Sequence, residues 1–536
     1  MKRFAALLSM ALFALNGCTR PAHPSSAGQN ASGVRGVLRV AIPQEPKTLN
    51  PLLASNSIDG FVWRLMFEPL VSADAHGTPV PILVTQVPGL QNGGVSADGL
   101  TITYHLRPHM LWSDGAPITA NDVKFSWATV MNPDNNVASR HGYDDVASVQ
   151  TPDALTAVAH LKKRFAPFVN TFFAESDQPY AIVPQHVLAT FANINKIDFN
   201  AAPTVSDGPF KFVRWVHGDR VILTANDRFL FGKPKLAGID VLTIANENTG
   251  VNLLRTGGIE FMFQASITTY PQLSGVPNVQ IVMNSMNGYE SLSFNARRAP
   301  MSDPRFRLAV AYAVDKARLV QTLTYGQEKV ASEDLPDWMW AYNPDVKPYA
   351  HDVAKARALL ARAGVKTPVS LVLVTDAANV THKREAVVIQ SMLHDVGINL
   401  EVKTYPGDLL YATAGAGGIL NNGNFDLALW PWYGGLDPDD SSELACANRS
   451  PHGWNVEQYC NPEMDALQNT ALTKYDQASR QAAYRRIQVL MARDNPMLFF
   501  WWQRQQEGIR STFHGFAPNP VTESWNAWQW SVGAGR

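Results

Sequence analysis

The sequence predicts an α/β fold built from more than one folding unit, and three observations predict it. Segments with the apolar pattern of strands alternate along the chain with segments of helical spacing, and residues 369–404 read strand, helix, strand at the length of a parallel crossover. About 500 residues beyond the N-terminal leader exceed what one core serves, so two to four units are expected. The composition, 46% hydrophobic and 17% charged, is that of a chain that buries a large core.

Taken from the N-terminus, Met1-Lys2-Arg3, an apolar run over 4–15 and Gly17 have the layout of a secretory leader, too short to span a bilayer. Leu15-Asn16-Gly17-Cys18 resembles a bacterial lipobox, which implies cleavage before Cys18 and a diacylglycerol on its thiol. An ordinary leader cut elsewhere would discard Cys18. Residues 1–17 are therefore expected to be a signal peptide, and 18–36, rich in Pro, Ser, Ala, Gly and Asn, a flexible lipid-anchored tether. The apolar run 37–42 is a strand closed by Pro43 and Pro46. Over 57–71, Phe61, Val62, Leu65 and Met66 recur at helical spacing until Pro69. Strict alternation over 100–107 places Ile102, Tyr104 and Leu106 on one strand face. Ser113-Asp114-Gly115 makes a turn, and Thr119 with Asp122 forms a capping box that opens a helix through Trp127. Asp303 and Pro304 start a helix with Phe306, Val310, Ala313 and Val314 inward. The crossover has strands at 369–374 and 398–404 around a helix at 383–396, and a last helix over 476–493 buries Ala483, Ile487, Leu490 and Met491.

With 45 basic and 46 acidic side chains the net charge is −1, which gives no field for a phosphate backbone, and nucleic acid is not an expected partner. Apart from Cys18, the cysteines are Cys446 and Cys460, a close pair that an oxidising compartment would join in a disulfide worth about 3 kcal/mol by loop closure. Two independent buried thiols are the alternative, and zinc lacks neighbouring histidines. There is no Gly-x-Ser-x-Gly elbow and no His-Glu-x-x-His, and Gly415-Ala416-Gly417-Gly418 lacks the third glycine of a dinucleotide fingerprint. No catalytic residue and no cofactor are expected, and an exported hydrolase is the remote alternative. The thirteen histidines are dispersed, and the one close pair, His105 and His109, straddles a strand end rather than a helix face, so no metal site is expected.

Several blocks carry a family resemblance. They are the run 96–107 beginning Ser96-Ala97-Asp98-Gly99, Trp112-Ser113-Asp114-Gly115-Ala116-Pro117 through Trp127, Glu45-Pro46-Lys47-Thr48-Leu49-Asn50-Pro51, Gly208-Pro209-Phe210, Phe294-Asn295 before Asp303-Pro304, and Tyr459-Cys460-Asn461-Pro462. In order, they resemble the family 5 extracytoplasmic solute-binding proteins of ABC importers, the dipeptide and oligopeptide binders, over nearly the whole mature chain. The resemblance implies a two-lobed periplasmic-binding-protein fold (type II, cluster C) with an extra subdomain inserted in the first lobe. Lobe I would comprise 37–75, 206–280 and 500–536, the insert 76–205, and lobe II 281–499. It also implies a monomeric, exported receptor, periplasmic or at the cell surface and held to a membrane by its lipid. Such a receptor closes on a small molecule of the peptide class and hands it to a membrane permease driven by ATPase subunits. Members that bind oligosaccharides, nickel or haem are the alternatives. The signature from Trp112 to Gly115 is expected to fix a turn in the insert.

The cleft is expected to draw on the end of an apolar strand, Trp430-Pro431-Trp432-Tyr433-Gly434-Gly435-Leu436-Asp437, where flat side chains and backbone amides meet a ligand together. Trp430 and Trp432, two apart, share a strand face. Peptide binders that this chain resembles carry Trp-x-x-Asp here to pair the peptide ammonium, but Trp432 is followed three residues later by Gly435. A buried ammonium needs a counter-charge, and Asp437 is the candidate, with a turn and helix cap as its other role. Tyr289, Asn295 and Trp502 complete the expected set.

Overall fold

A mixed sheet of eleven strands runs through the computed structural model, which describes residues 36–533. The leader, Cys18 and nearly all of the tether lie outside the described residues. From one edge the strands are Ile398–Tyr405, Val369–Asp376, Leu427–Tyr433, Val279–Phe294, Met497–Arg510, Phe261–Met262, Val37–Ile42, Gly238–Thr243, Arg220–Ala225 and Phe210–Val216, with Lys329–Val330 added beside Met497–Arg510. Two of them, Val279–Phe294 and Met497–Arg510, are long enough to serve both halves of the sheet. They pair antiparallel from Val279–Arg510 to Ser285–Arg504, and again from Tyr289–Trp502. Between these stretches Met286, Asn287 and Gly288 face the single residue Gln503, a bulge that bends and twists the pair.

Separate cores lie on either side of this break. Leu38, Val40, Phe61 and Trp63 share one cluster with Tyr104 and Trp112, so the inserted three-stranded sheet (Thr101–His105, Thr156–Leu161 and Val146–Asp153) is fused to the first half by its apolar face. Leu292, Phe306, Val310, Leu373, Ile389 and Leu429 make the core of the second half, around the parallel crossover Val369–Asp376, Val380–His394 and Ile398–Tyr405. This is the two-lobed α/β fold with the inserted subdomain. Trp112 is fully buried, and Gly115 takes φ +98° where its N–H closes a turn onto the Trp112 carbonyl at 2.9 Å. Cys446 and Cys460 are joined in a disulfide.

Two elements differ from expectation. The helix expected over 57–71 stops at Arg64, because the Leu65 and Met66 carbonyls accept from Phe210 N–H (2.9 Å) and Gly208 N–H (2.7 Å) instead of continuing the helical ladder. A Cβ at position 208 would collide with the Met66 backbone, which explains the glycine. The crossover helix starts at Val380, three residues earlier than its apolar period suggests, because the Asn379 side chain accepts from His382 N–H (3.0 Å) and caps it.

Candidate ligand-binding cleft

A cavity of about 640 Å³ opens between the two cores, within the size range of small-molecule sites. One wall carries Trp63 and Arg64 from the helix Ser57–Arg64, the loop at 176–179, and Gln264. The opposite wall carries Thr324, Glu328, Asn379, Tyr433 and Trp501. The two long strands form the floor with Glu290 and with Gln503, Arg504, Gln505 and Gln506.

Seven side-chain amides line the cavity beside the charged Arg64, Asp177, Glu290, Glu328 and Arg504, and several of the amides are already oriented. Gln178 Nε2 donates to Ala54 O (2.8 Å), Gln264 Nε2 to Gln505 Oε1 (3.1 Å), and Gln505 Nε2 to carboxylate oxygens of Glu507 and Glu523 (2.6 Å each). Glu507 and Glu523 lie fully within the protein, and burial raises both above the carboxylate range, Glu523 to about 7. Arg64 is held by Glu175 at 2.9 Å and lies over the Trp63 ring. Arg504 donates to the carbonyls of Gln327 (2.7 Å) and Met283 (3.2 Å), and among the described residues it has no carboxylate within ion-pair distance. Burial raises Glu328 to about 8 although Arg504 beside it pulls the other way. Glu290 Oε2 accepts from Gln503 Nε2 (3.1 Å), and its Oε1 lies 3.0 Å from His382 Nε2.

The expected site residues are dispersed. Tyr433 lines the large cavity. Trp432, Gly435 and Asp437 border a separate space of about 40 Å³. Asp437 corrects the expectation of a free anchor, since its two oxygens accept from Arg480 Nη1 and Nη2 at 2.9 and 2.6 Å in a buried pair that already matches its charge. Trp430 shares a strand face with Trp432, their rings meeting edge to face at 5.8 Å, but that face is core: its indole N–H donates to Ser293 Oγ (2.7 Å) and its ring stacks on Trp454. The Tyr289 hydroxyl is buried on Glu443 (2.8 Å), Asn295 ties the loop at Gly423 and Phe425 (3.1 Å each), and the Trp502 indole donates to Glu333 O (2.9 Å). These three pack lobe II and border neither cavity.

Gly435 stands at a contact between the halves. A Cβ there would come within 2.5–2.7 Å of the Ser176 and Asp177 backbone, while Leu436 N–H donates to Glu175 O (2.8 Å) and Asn287 Nδ2 to Gly435 O (2.8 Å). The residues that sequence reasoning missed had partial signals. Gln503-Arg504-Gln505-Gln506 interrupts the apolar run of a strand that begins Met497-Leu498-Phe499-Phe500, and Glu290 is a charged residue in an otherwise uncharged strand, next to Tyr289 and two before Leu292. Glu328 lies in an irregular segment with no pattern to mark it.

Two lobes meeting over a ligand-sized cavity, floored by a pair of long strands that runs through both, define a receptor that encloses a small solute. The comparisons agree with this class. The model for bacterial extracellular solute-binding proteins, family 5 Middle, matches residues 78–451, and the chain belongs to that family, whose members are non-catalytic receptors of ABC transporters. The oligopeptide-binding protein AppA of Bacillus subtilis is 24% identical over 98% of this chain and 97% of its own, and the glutathione-binding protein GsiB of Pectobacterium atrosepticum 26% identical over 90% and 92%. The substrate-binding protein CtaP of Listeria monocytogenes has the same fold, with a TM-score of 0.82 at 24% identity over 93% of this chain and 99% of that one. Among the described residues no helix is long and apolar enough to cross a membrane.

Proposed function

We propose that this protein is the peptide receptor of an ABC importer, exported by its leader, held to a membrane through a lipid on Cys18, and working as a monomer that passes its cargo to the permease. The observation that carries the peptide reading is the amide-rich lining of the large cavity. Gln178, Gln264 and Gln503 each keep one amide hydrogen and carbonyl-oxygen capacity beyond the bonds that orient them, while Gln505, its two donors spent on Glu507 and Glu523, holds Gln264 in place; donor and acceptor side by side is the pairing that a peptide backbone requires. Trp63, Tyr433 and Trp501 give apolar faces to cargo side chains. Glu328 is the ammonium partner in place of the acid missing at Gly435, since a cation beside it would relieve the cost of its buried charge. Lobe I (37–75, 206–280 and 500–536, with the insert 76–205) and lobe II (281–499) flex relative to one another at the bulge 286–288 in the long strands that cross between them, and closure brings the Gly435 loop onto 175–177. The names of the two relatives above, one an oligopeptide binder and one a glutathione binder, support the same class of cargo.

Calorimetry on the mature chain with di- to pentapeptides, their N-acetylated forms, and cello- and xylo-oligosaccharides tests the reading. Free peptides should bind, and acetylation should weaken them by about tenfold or more, the effect of losing one charge-assisted hydrogen bond. Glu328→Gln should abolish the difference. Binding of an oligosaccharide and of no peptide would overturn it.

A further inference from the structure

Behind the cleft floor, Glu290, His382 and Glu385 converge. One ligating atom from each lies within 4.8 Å of the other two, and their exposures are 3%, 0% and 0%. His382 and Glu385 are three apart in the helix Val380–His394 and so share a face, and Glu290 reaches them from the first long strand. The polar atoms are unmet. Both oxygens of Glu385, both ring nitrogens of His382 and Glu290 Oε1 lack a hydrogen-bond partner of acceptable geometry, although Glu290 and His382 are at ion-pair distance. Among the described residues, no lysine or arginine pairs with either carboxylate. Two buried carboxylates that share a single donor, Gln503 Nε2 on Glu290 Oε2, cost several kcal/mol unless a cation or shared protons neutralise them.

We propose that Glu290, His382 and Glu385 form a binding site for a divalent first-row transition-metal cation, of which Zn²⁺ is the probe. A neutral imidazole with two carboxylates cancels a charge of +2 and is a donor set that such ions accept, whereas Ca²⁺ and Mg²⁺ prefer oxygen alone. Bonds of about 2.0–2.1 Å place neighbouring ligand atoms about 3.3 Å apart, so the trio has to draw in by at most about 1.5 Å, a change that two glutamate side chains can make by rotation. An outer group is already present, because Gln503 Nε2 donates to the other oxygen of Glu290 and fixes that carboxylate. Glu290 also borders the cavity, so the open coordination position lies toward the cargo space. Without metal, protons must fill the role: burial, reinforced by the charge of Glu290, holds Glu385 well above the carboxylate range. Burial alone would lower His382, but Glu290 and, less strongly, Asp376 together more than offset it and raise it. The site does not depend on which solute the cleft takes.

The test uses the tag-free mature chain, stripped with EDTA and dialysed, titrated calorimetrically with Zn²⁺, Ni²⁺, Ca²⁺ and Mg²⁺, with bound metal counted by elemental analysis. One Zn²⁺ or Ni²⁺ per chain is expected, with Ca²⁺ and Mg²⁺ weaker. Glu385→Gln and His382→Gln should each weaken Zn²⁺ by at least about 100-fold, given that outer-shell losses alone reach 10- to 100-fold. Glu385→Gln has the shape of the protonated acid that fills this position without metal and is expected to fold, which circular dichroism checks. The visible spectrum of bound Co²⁺ gives a second readout, present in the wild type and lost in both variants. Absence of stoichiometric Zn²⁺ from the wild type, or equal affinity in the variants, would show that shared protons alone hold the trio and would overturn the proposal.

Discussion

Asp437 shows how an attractive carboxylate can be spoken for. It is held in two hydrogen bonds by Arg480, both side chains being less than 10% exposed, so Asp437→Asn strands a guanidinium in the interior. The variant should lose about 3–5 kcal/mol in urea denaturation while the folded fraction keeps its affinity for cargo. Glu328 makes a prediction of opposite character. Its ordinary value is 4.5 and the folded protein raises it to about 8, so the native state binds the proton more tightly than the unfolded chain. Its contribution to stability is therefore fully present below about pH 4.5 and is lost as pH rises toward about 8. Glu328→Gln should flatten the fall in stability over this window, which denaturant titrations at several pH values will measure. A cationic cargo beside Glu328 should pull its value down, so binding near pH 7 should release protons, seen as a dependence of the calorimetric heat on the ionisation enthalpy of the buffer. Neither role was legible from composition. A carboxylate in a turn looks the same in sequence whether it faces a ligand or an arginine 43 residues away.

At the scale of elements, local pattern carried the reading far. The capping box at Thr119, the Asp303-Pro304 helix start and the two strands of the crossover appear where local pattern put them, because each is fixed by neighbours within one turn or one strand. One failure came from distant partners and the other from a local cap, Asn379, that the apolar period does not show. The helix from Ser57 is ended by residues 208–210, which no local window contains. The crossover helix hid His382 outside its expected start, and with it the His-x-x-Glu spacing that joins His382 to Glu385 on one face. Gly435 belongs to this scale too. Its lack of a side chain lets the loop after the strand Leu427–Tyr433 lie on the backbone at 176–177. Gly435→Ala should weaken cargo binding by about tenfold or more, in line with the ~1–3 kcal/mol of overpacking, with little change in the melting temperature of the cargo-free protein. Calorimetry and thermal denaturation together separate those effects.

For the whole molecule, family and fold were readable because their signals are spread over many segments, whereas the cleft is assembled from stretches as far apart as Trp63 and Gln506, and its chemistry emerged only once they were brought together. A receptor that closes on cargo must change shape, and small-angle scattering of saturated against empty protein should show a smaller radius of gyration on saturation. Identical curves would count against closure. The bulge at 286–288 adds a consequence of its own. In the proposed reading, Gln503 and Gln505, which meet the cargo, hang from the same ribbons that flex to let it go, so recognition and release would not drift apart over evolution. A homologue that swaps Gln503 or Gln505 for another residue to suit a new nutrient should thereby acquire a new dwell time as well, and import rate across such relatives should track chemical preference even where equilibrium affinity is conserved.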